Sequence, residues 1–442
     1  MCADVPPASQ LQIRPWYKQK LALPLAALHP TFMIPSLRHL RLCHEVARLG
    51  TVSAVARRLH LSQPAVTQAI AKVERYFGLT LFSRESTGMK LSAAGTLCSP
   101  RIERATTQIR DALAELLRRN GRSGVNVEQL ALRLTNAQLN ALTAFTVHGS
   151  FTRAARASEI AQPTLHRAAR SLERTLGVAL FEHTSFGVRA TRDAELFARS
   201  VRLAFAELAQ ARAEVGGLSG RETGITVIGS MPLARSFLVP SAVIAFTREH
   251  PQHEVSIMEG TYEHLLGALQ SGEADFLIGA LRDAAVTGDV KQEHLFNDPL
   301  SIAARSGHPL AGRKRVRAAD LARYPWIAPR TGSPLRTQFE TLFARAAVPL
   351  PAHSVQCNSL IAARAFLLES DYLMLSSAHQ IHYEVRAGLL VALPHPDGRV
   401  MRSIGLTMRR NWQPTVVQSR LLELLREVST SSSTIAEAVA PT

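Results

Sequence analysis

Residues 37–116 and 136–215 repeat one another at a constant offset of 99, with no gap. Gln63-Pro64 returns as Gln162-Pro163, Glu74-Arg75 as Glu173-Arg174, and Leu81-Phe82 as Leu180-Phe181. Gly50 and Gly78 return as Gly149 and Gly177, and Ala56-Arg57 as Ala155-Arg156. Self-similarity over so long a stretch means that one supersecondary unit has been used twice. The first half of the chain is therefore two copies of a small helical domain, and the fold of either copy constrains the other.

The first copy predicts three helices and a turn. Leu37, Leu40, Val46 and Ala47 form a helical stripe over 37–49, which Gly50 closes as a C-cap. Ser53 starts a short helix over Ala54–Leu59. Ser62 caps a third helix whose first turn tolerates Pro64, since no intrahelical bond needs that N–H. Val66, Ile70, Val73 and Phe77 recur at helical spacing and mark its buried face. Gln63, Ala65, Thr67, Gln68 and Lys72 are left for the helix start or the outer face. After Gly78, Leu79–Phe82 reads as a short strand and Ser83–Lys90, with Gly88, as the turn of a wing.

A helix that opens with amide and hydroxyl side chains suits the major groove of DNA. Glutamine pairs with adenine edges, and threonine or alanine methyls touch thymine. Arg57, Arg58 and Lys72 would meet phosphates and set position rather than sequence preference; Arg84 and Lys90 would lie near the backbone or minor groove. The charge agrees: a formal +16 and a pI near 10.6 favour a polyanionic partner through counterion release. A generic basic helical bundle is the competing reading, and the string from Ser62 to Arg84 is too specific for it.

That string resembles the LysR-type transcriptional regulators, from the first helix through the wing to Leu91-Ser92-Ala93-Ala94-Gly95. In that family the third helix reads the major groove, and the resemblance places this role on Gln63–Lys72. The second copy keeps the scaffold and changes the outer face. Ala161 stands for Ser62, removing a cap worth about 0.5–2 kcal/mol. His166, Arg167 and His183 stand for Thr67, Gln68 and Arg84. Arg156, Gln162, Thr164, His166, Arg167 and Arg170 are its candidate DNA contacts; a copy kept only for packing is the open alternative. Each copy continues into a long helix with an apolar seam: Cys98, Ile102, Ala105, Ile109, Ala112 and Leu116 in one, Phe197, Val201, Ala204, Leu208, Ala211 and Val215 in the other. Such a seam serves a partner helix or the helix's own module. In the LysR type this linker helix dimerises the chain, so the resemblance implies a homodimer or homotetramer through the linker helices. Asn120–Gly124 reads as a flexible joint between the copies.

From Gly224 strands and helices alternate, which predicts parallel sheets flanked by helices. Ligands in such folds sit beyond the carboxyl ends of the strands. That rule selects Ser230 and Met231, Gly260-Thr261-Tyr262, Thr331 and Ser333, Asn358-Ser359, and Ser376 as candidate effector contacts; ordinary helix capping is the plainer explanation. The strings Leu265–Asp275 and Arg305–Leu310 resemble the effector domain of the same family, which is similar to a two-lobed periplasmic binding protein, and Phe237–Glu273 is similar to its galactose-binding-protein regulators.

The expected organisation is α plus α/β: a disordered leader (1–35), two tandem winged helix-turn-helix modules with linker helices (36–120 and 121–220), an effector domain (221–430) and a disordered tail (431–442). Its lobes would be 221–299 with 393–430, and 300–392. The start codon is open, with Met33 a candidate. Four scattered cysteines without a C-x-x-C pair fit a reducing cytoplasm. No phosphate-binding loop, dinucleotide fingerprint, nucleophile elbow or metal motif occurs; His379 and His382 read as surface residues. No enzyme, cofactor or metal is expected, and no apolar run is long enough to span a membrane. The implied partners are double-stranded DNA, a small effector of the sugar or organic-acid class, other copies of the chain and RNA polymerase. An architectural DNA-binding protein with a non-sensing C-terminal domain is the alternative.

Overall fold

The computed structural model describes residues 34–86, 88–185, 187–220, 224–282, 289–357, 359–398 and 400–439. The expected leader lies almost wholly outside them, as does Asn358. The chain divides into two units, residues 1–212 and 213–442.

The first unit is the duplicated half. Its first copy runs α1 (Leu37–Leu49), α2 (Val52–Arg58), α3 (Gln63–Phe77), β1 (Phe82–Glu85), β2 (Gly88–Leu91) and α4 (Ala93–Arg119). A short α5 (Val127–Arg133) precedes the second copy: α6 (Asn136–His148), α7 (Phe151–Ser158), α8 (Gln162–Leu176), β3 (Phe181–Thr184), β4 (Gly187–Ala190) and α9 (Arg192–Leu218). Local chemistry sets these ends. Ser36, Thr51, Ser62 and Ser92 cap the four main helices of the first copy with their hydroxyls, and Gly50 and Gly78 end α1 and α3 in the left-handed conformation.

Hydrogen bonds repeat at the same offset as the sequence. The Glu74 carboxylate accepts from Leu81 N–H at 2.8 Å, and Glu173 from Leu180 at 2.9 Å. Ser92 N–H donates to Leu81 O and Thr191 N–H to Leu180 O, both at 2.9 Å. Two local expectations need correction. Helix α2 starts at Val52 behind a Thr51 cap, earlier than Ser53, because the Thr51 hydroxyl already accepts from Ala54 N–H. The wing strand is Phe82–Glu85, paired with Gly88–Leu91, rather than Leu79–Phe82; Leu81 is instead fastened to Glu74.

The two linker helices meet each other inside the chain. Arg101 of α4 donates to Glu207 and Gln210 of α9 at 3.1 and 2.8 Å, and Arg104 to Glu207 at 2.9 Å. At the far end Arg119 pairs with Asp193 at 3.0 Å. Numbers rise on one helix as they fall on the other, so the helices run antiparallel and in full overlap. Cys98, Ile102, Ala105 and Ile109, and the α9 seam residues Phe197, Val201, Ala204, Leu208 and Ala211, are buried. Past Ile109 the stripe of α4 passes to Leu113, Leu116 and Leu117, leaving Ala112 half-buried. This corrects the expectation that the seams wait for a second chain. The joint is also tied down: Asn120 donates to Asp193, and Arg122 to the Leu176 carbonyl at the end of α8.

The second unit carries β5 (Gly224–Ser230), α10 (Pro232–Arg235), α11 (Leu238–Glu249), β6 (His253–Glu259), α12 (Tyr262–Ser271), β7 (Phe276–Ala280) and the long β8 (Val290–Arg305). Then follow α13 (Ala318–Leu321), β9 (Trp326–Ala328), α14 (Pro334–Arg345), β10 (Ser354–Gln356), α15 (Leu360–Glu369), β11 (Leu373–Ser377), α16 (His382–Arg386), β12 (Leu390–Leu393), β13 (Met401–Arg409) and α17 (Val416–Val439). The sheet order is β10-β9-β11-β8-β13-β7-β5-β6, with β12 also on β8. Strands β5, β6 and β7 are parallel, as are β9, β10 and β11, but β8, β12 and β13 run antiparallel to their neighbours. The all-parallel expectation fails there because β8 crosses from one half of the sheet to the other. Its residues 290–299 pair with β13, and 300–305 with β11 and β12.

Each half buries its own core on both sheet faces. In the first, Phe246, Phe276, Leu406 and Leu421 pack under α11 and α17, and Leu265, Leu269 and Leu277 under α12. In the second, Trp326, Phe339 and Phe343 lie under α14, and Ile327, Ala363 and Leu367 under α15. Helix α17 continues to Val439, so the segment expected as a disordered tail is helical up to that residue.

Candidate DNA-binding and effector sites

Helix α3 separates its two faces cleanly. Val66 and Val73 are fully buried and Ile70 and Phe77 nearly so, whereas Gln63, Pro64, Thr67, Gln68 and Lys72 are exposed and Ala65 half-buried. Ser62, just ahead, is exposed and uses its hydroxyl as the cap on Ala65 N–H, so its part in any contact is shared with the backbone. Arg57 and Arg58 of α2 and Arg84 of the wing are exposed beside it. Arg58 is exposed and stands 4.0 Å from the buried Glu45, at the outer limit of an ion pair. The wing is docked: Met89 N–H donates to the Gly50 carbonyl at 2.7 Å. A Cβ on Gly88 would come within 2.5 Å of that oxygen, which is why glycine stands there.

The second copy has the same framework around α8 and a different surface. Gln162, Thr164, His166 and Arg167 are exposed, as is Arg156 of α7, while Arg170 is half-buried. Ala161 makes no side-chain cap. Gln162 accepts from Thr152 at 3.3 Å, and Arg170 is engaged by Glu173 at 2.8 Å and His183 at 3.1 Å. The His166 ring lies edge-on to Phe151, with centroids 5.0 Å apart. Arg167 has only a 3.5 Å contact to the Thr164 hydroxyl, leaving its guanidinium available to a ligand. A Cβ on Gly187 would meet nothing within 4 Å, so this wing lacks the close docking found at Gly88.

In the second unit the selected residues cluster at strand ends. Ser230 ends β5 and Met231 follows it, and Gly260, Thr261 and Tyr262 follow β6, brought together by the Ser230–Glu259 register. Ser230 is fully buried, while Thr261 is exposed and caps α12 through His264 N–H. Tyr262 is buried, and among the described residues its hydroxyl has no hydrogen-bond partner. Arg282 lies 4.7 Å over its ring, and the buried Nε of Arg282 likewise has no hydrogen-bond partner among the described residues. Burial pushes the Tyr262 pKa up, with Arg282 opposing, so the hydroxyl is a proton donor at neutral pH. Arg282 is not among the residues selected from the sequence, although it follows β7 and the strand-end rule reaches it.

On the other half, Thr331 accepts from Gln356 at 3.0 Å, Ser333 caps α14 and Ser359 caps α15. Ser376 is buried and donates inward to Ser377 and Gln380, so its hydroxyl proton is used within the protein. Glu263 is held below the ordinary carboxylate range chiefly by its own N–H, with Thr261 and the charges of Arg282 and Arg330 adding to it. Arg330 precedes Thr331 in the opposite half, so this electrostatic link relates the two groups of strand ends.

Where β8 crosses between the halves, the fully buried Asp298 accepts from His379 at 2.7 Å, Ser377 at 2.6 Å and Arg402 at 2.9 Å. Burial alone would raise its pKa; these three partners outweigh it and hold the carboxylate below its usual range. His379, expected at the surface, is therefore a buried structural residue, and the nearby His382 ring packs on Phe237.

A pair of winged helix-turn-helix modules on long helices, joined to a two-lobed α/β unit, defines a DNA-binding regulator with an effector domain. Residues 37–96 and 136–195 match the bacterial regulatory helix-turn-helix protein model of the lysR family, and residues 219–430 match the LysR substrate binding domain. The HTH-type transcriptional regulator GalR of Pseudomonas putida is 32% identical over 90% of this chain and 99% of its own length. The chain belongs to the LysR family of transcription regulators. The GalR match spans 400 residues, too many to leave out either helical copy. The regulator GbpR of Azospirillum brasilense is 30% identical over 55% of this chain and 71% of its own. The crystal structure of CbnR, a LysR family transcriptional regulator, covers 66% of this chain and 98% of its own at 21% identity and a TM-score of 0.46. Among the described residues, no helix is long and apolar enough to cross a membrane.

Proposed function

We propose that α3 reads the major groove with Gln63, Thr67 and Gln68, that Ser62, Pro64 and Ala65 seat its first turn there, and that Arg57, Arg58, Lys72 and Arg84 hold the phosphates. The division of α3 into a buried apolar face and an exposed amide, hydroxyl and ammonium face carries this reading. Bidentate amide contacts discriminate bases, while an ammonium contributes a point charge that every sequence satisfies equally. Gln63→Ala should weaken preference at one base position by about 1–3 kcal/mol. Lys72→Ala should weaken all sequences alike and reduce the salt slope by about one. Fluorescence anisotropy across a set of single-base operator variants and salt concentrations separates the two effects; equal losses on every sequence for both substitutions would refute the assignment.

The effector, in the same reading, binds between the lobes 221–299 with 393–430 and 300–392. Its contacts would be Ser230, Met231, Gly260, Thr261 and Tyr262 on one side and Thr331, Ser333, Ser359 and Ser376 on the other, with Asn358 outside the described residues. The unpartnered Tyr262 hydroxyl beside Arg282, with Arg330 opposite, favours an organic acid over a neutral sugar. Such a ligand acts on DNA only by binding one lobe arrangement better than another. Thermal-shift screening of the full chain against organic acids and sugars, followed by footprinting with any hit, tests this; a sugar that shifts the melt where no acid does would reverse the choice of class.

A further inference from the structure

The antiparallel linker helices fix how the two modules are related. Each linker helix is 27 residues long and starts at the same point of its repeat. The rotation that carries the first copy onto the second must therefore carry α4 onto a helix running the opposite way. Any rotation that reverses a direction is a half-turn about an axis perpendicular to it. Arg101 meets Glu207 and Gln210 near one end and Arg119 meets Asp193 at the other, so the axis passes near the helix midpoints, beside the fully buried Ala105 and Ala204. Small side chains there let the helices approach closely. One chain thus holds two winged modules in the inverted relation in which a two-fold dimer presents its readers to an inverted repeat.

The two readers are not alike. Where α3 presents Ala65, Thr67 and Gln68, α8 presents Thr164, His166 and Arg167. Its His166 is engaged with Phe151, while Arg167 is exposed and held only by the long Thr164 contact. Glutamine suits adenine, and arginine suits the O6 and N7 acceptors of guanine. We propose that a single chain recognises a bipartite, non-palindromic DNA site, with α3 reading one half and α8, through Arg167, reading a guanine in an inverted and different second half. The proposal rests on α3 being a DNA reader and adds a second reader within the same chain.

Selection of the full-length chain on a randomised duplex library tests it. The expected result is a consensus of two unlike inverted halves. Duplexes symmetrised with two copies of either half should each bind more weakly than the unsymmetrised site. Arg167→Ala should lose roughly 5- to 150-fold affinity, with the loss of preference confined to the guanine of the second half. Arg167→Gln should shift that position toward adenine, a gain that misfolding cannot mimic. A symmetric consensus, a single half-site, or an Arg167→Ala effect spread evenly over all sequences would overturn the second reader while leaving the first intact. No selected sequence at all, at low salt, would remove the DNA reading of α3 together with it.

Discussion

Removing the Glu207 carboxylate is the sharpest perturbation of the intrachain helix pair. Arg101 is 3% exposed, and Glu207 and Gln210 of α9 both accept from it. Truncating one member of a buried ion pair costs about 3–5 kcal/mol, because the remaining charge stays buried and loses its countercharge. The Gln210 oxygen at 2.8 Å remains as a neutral acceptor, which places Glu207→Ala near the low end, about 3 kcal/mol. Arg104 is about a quarter exposed, so its lost pair adds under ~1 kcal/mol. For a helical unit of this size the sum corresponds to a melting shift of roughly 6–16 °C. Thermal unfolding of the full chain by far-UV circular dichroism reads it, with Glu103→Ala on the exposed face of α4 as the control. The double replacement Arg101→Met with Glu207→Leu should recover most of the loss, since a packed apolar pair substitutes well for a buried ionic one. A Glu207→Ala melt within about a degree of the control would refute the structural role given to this contact.

Ala161→Ser should stabilise the second module by about 1 kcal/mol, because α8 begins with an extended residue and no side-chain cap, where the equivalent Ser62 caps α3; urea midpoints of the two proteins measure it. At the lobe crossing, folding holds the Asp298 carboxyl below its free-chain range. Its contribution is therefore present above about pH 4 and is lost as pH falls through the depressed folded value. Urea midpoints of wild type should drop on that acid limb, while those of Asp298→Asn stay flatter, so that the two converge at low pH. Parallel curves would show that Asp298 is not the group responsible.

Much of the surface proposed to meet DNA is set by local signals. Ser62, Pro64 and Gly78 bound α3, and the spacing of Val66, Ile70, Val73 and Phe77 tells which face is left outside. The strand-end rule likewise reaches the neighbourhood of Tyr262. Arg282, two residues past the end of β7 at Ala280, is within its reach, although the selection from the sequence leaves it out. The Asp298 cluster leaves no such trace. Ser377, His379 and Arg402 lie 79, 81 and 104 residues away from it, and nothing in the pattern of any one segment links them. Strands β12 and β13 escape the sequence for a related reason: their pairing with β8 depends on a chain crossing that no local period records.

What sequence alone determined, then, was the repeated module, its caps and its exposed polar face, because capping hydroxyls, left-handed glycines and helical periodicity act within a few residues. What only the tertiary structure decided was the partner of each linker seam and the antiparallel direction in which they meet. An apolar seam attracts any complementary helix and carries no address of its own; the choice between another chain and the same one rests on contacts such as Arg101 with Glu207, which exist only once distant segments have come together.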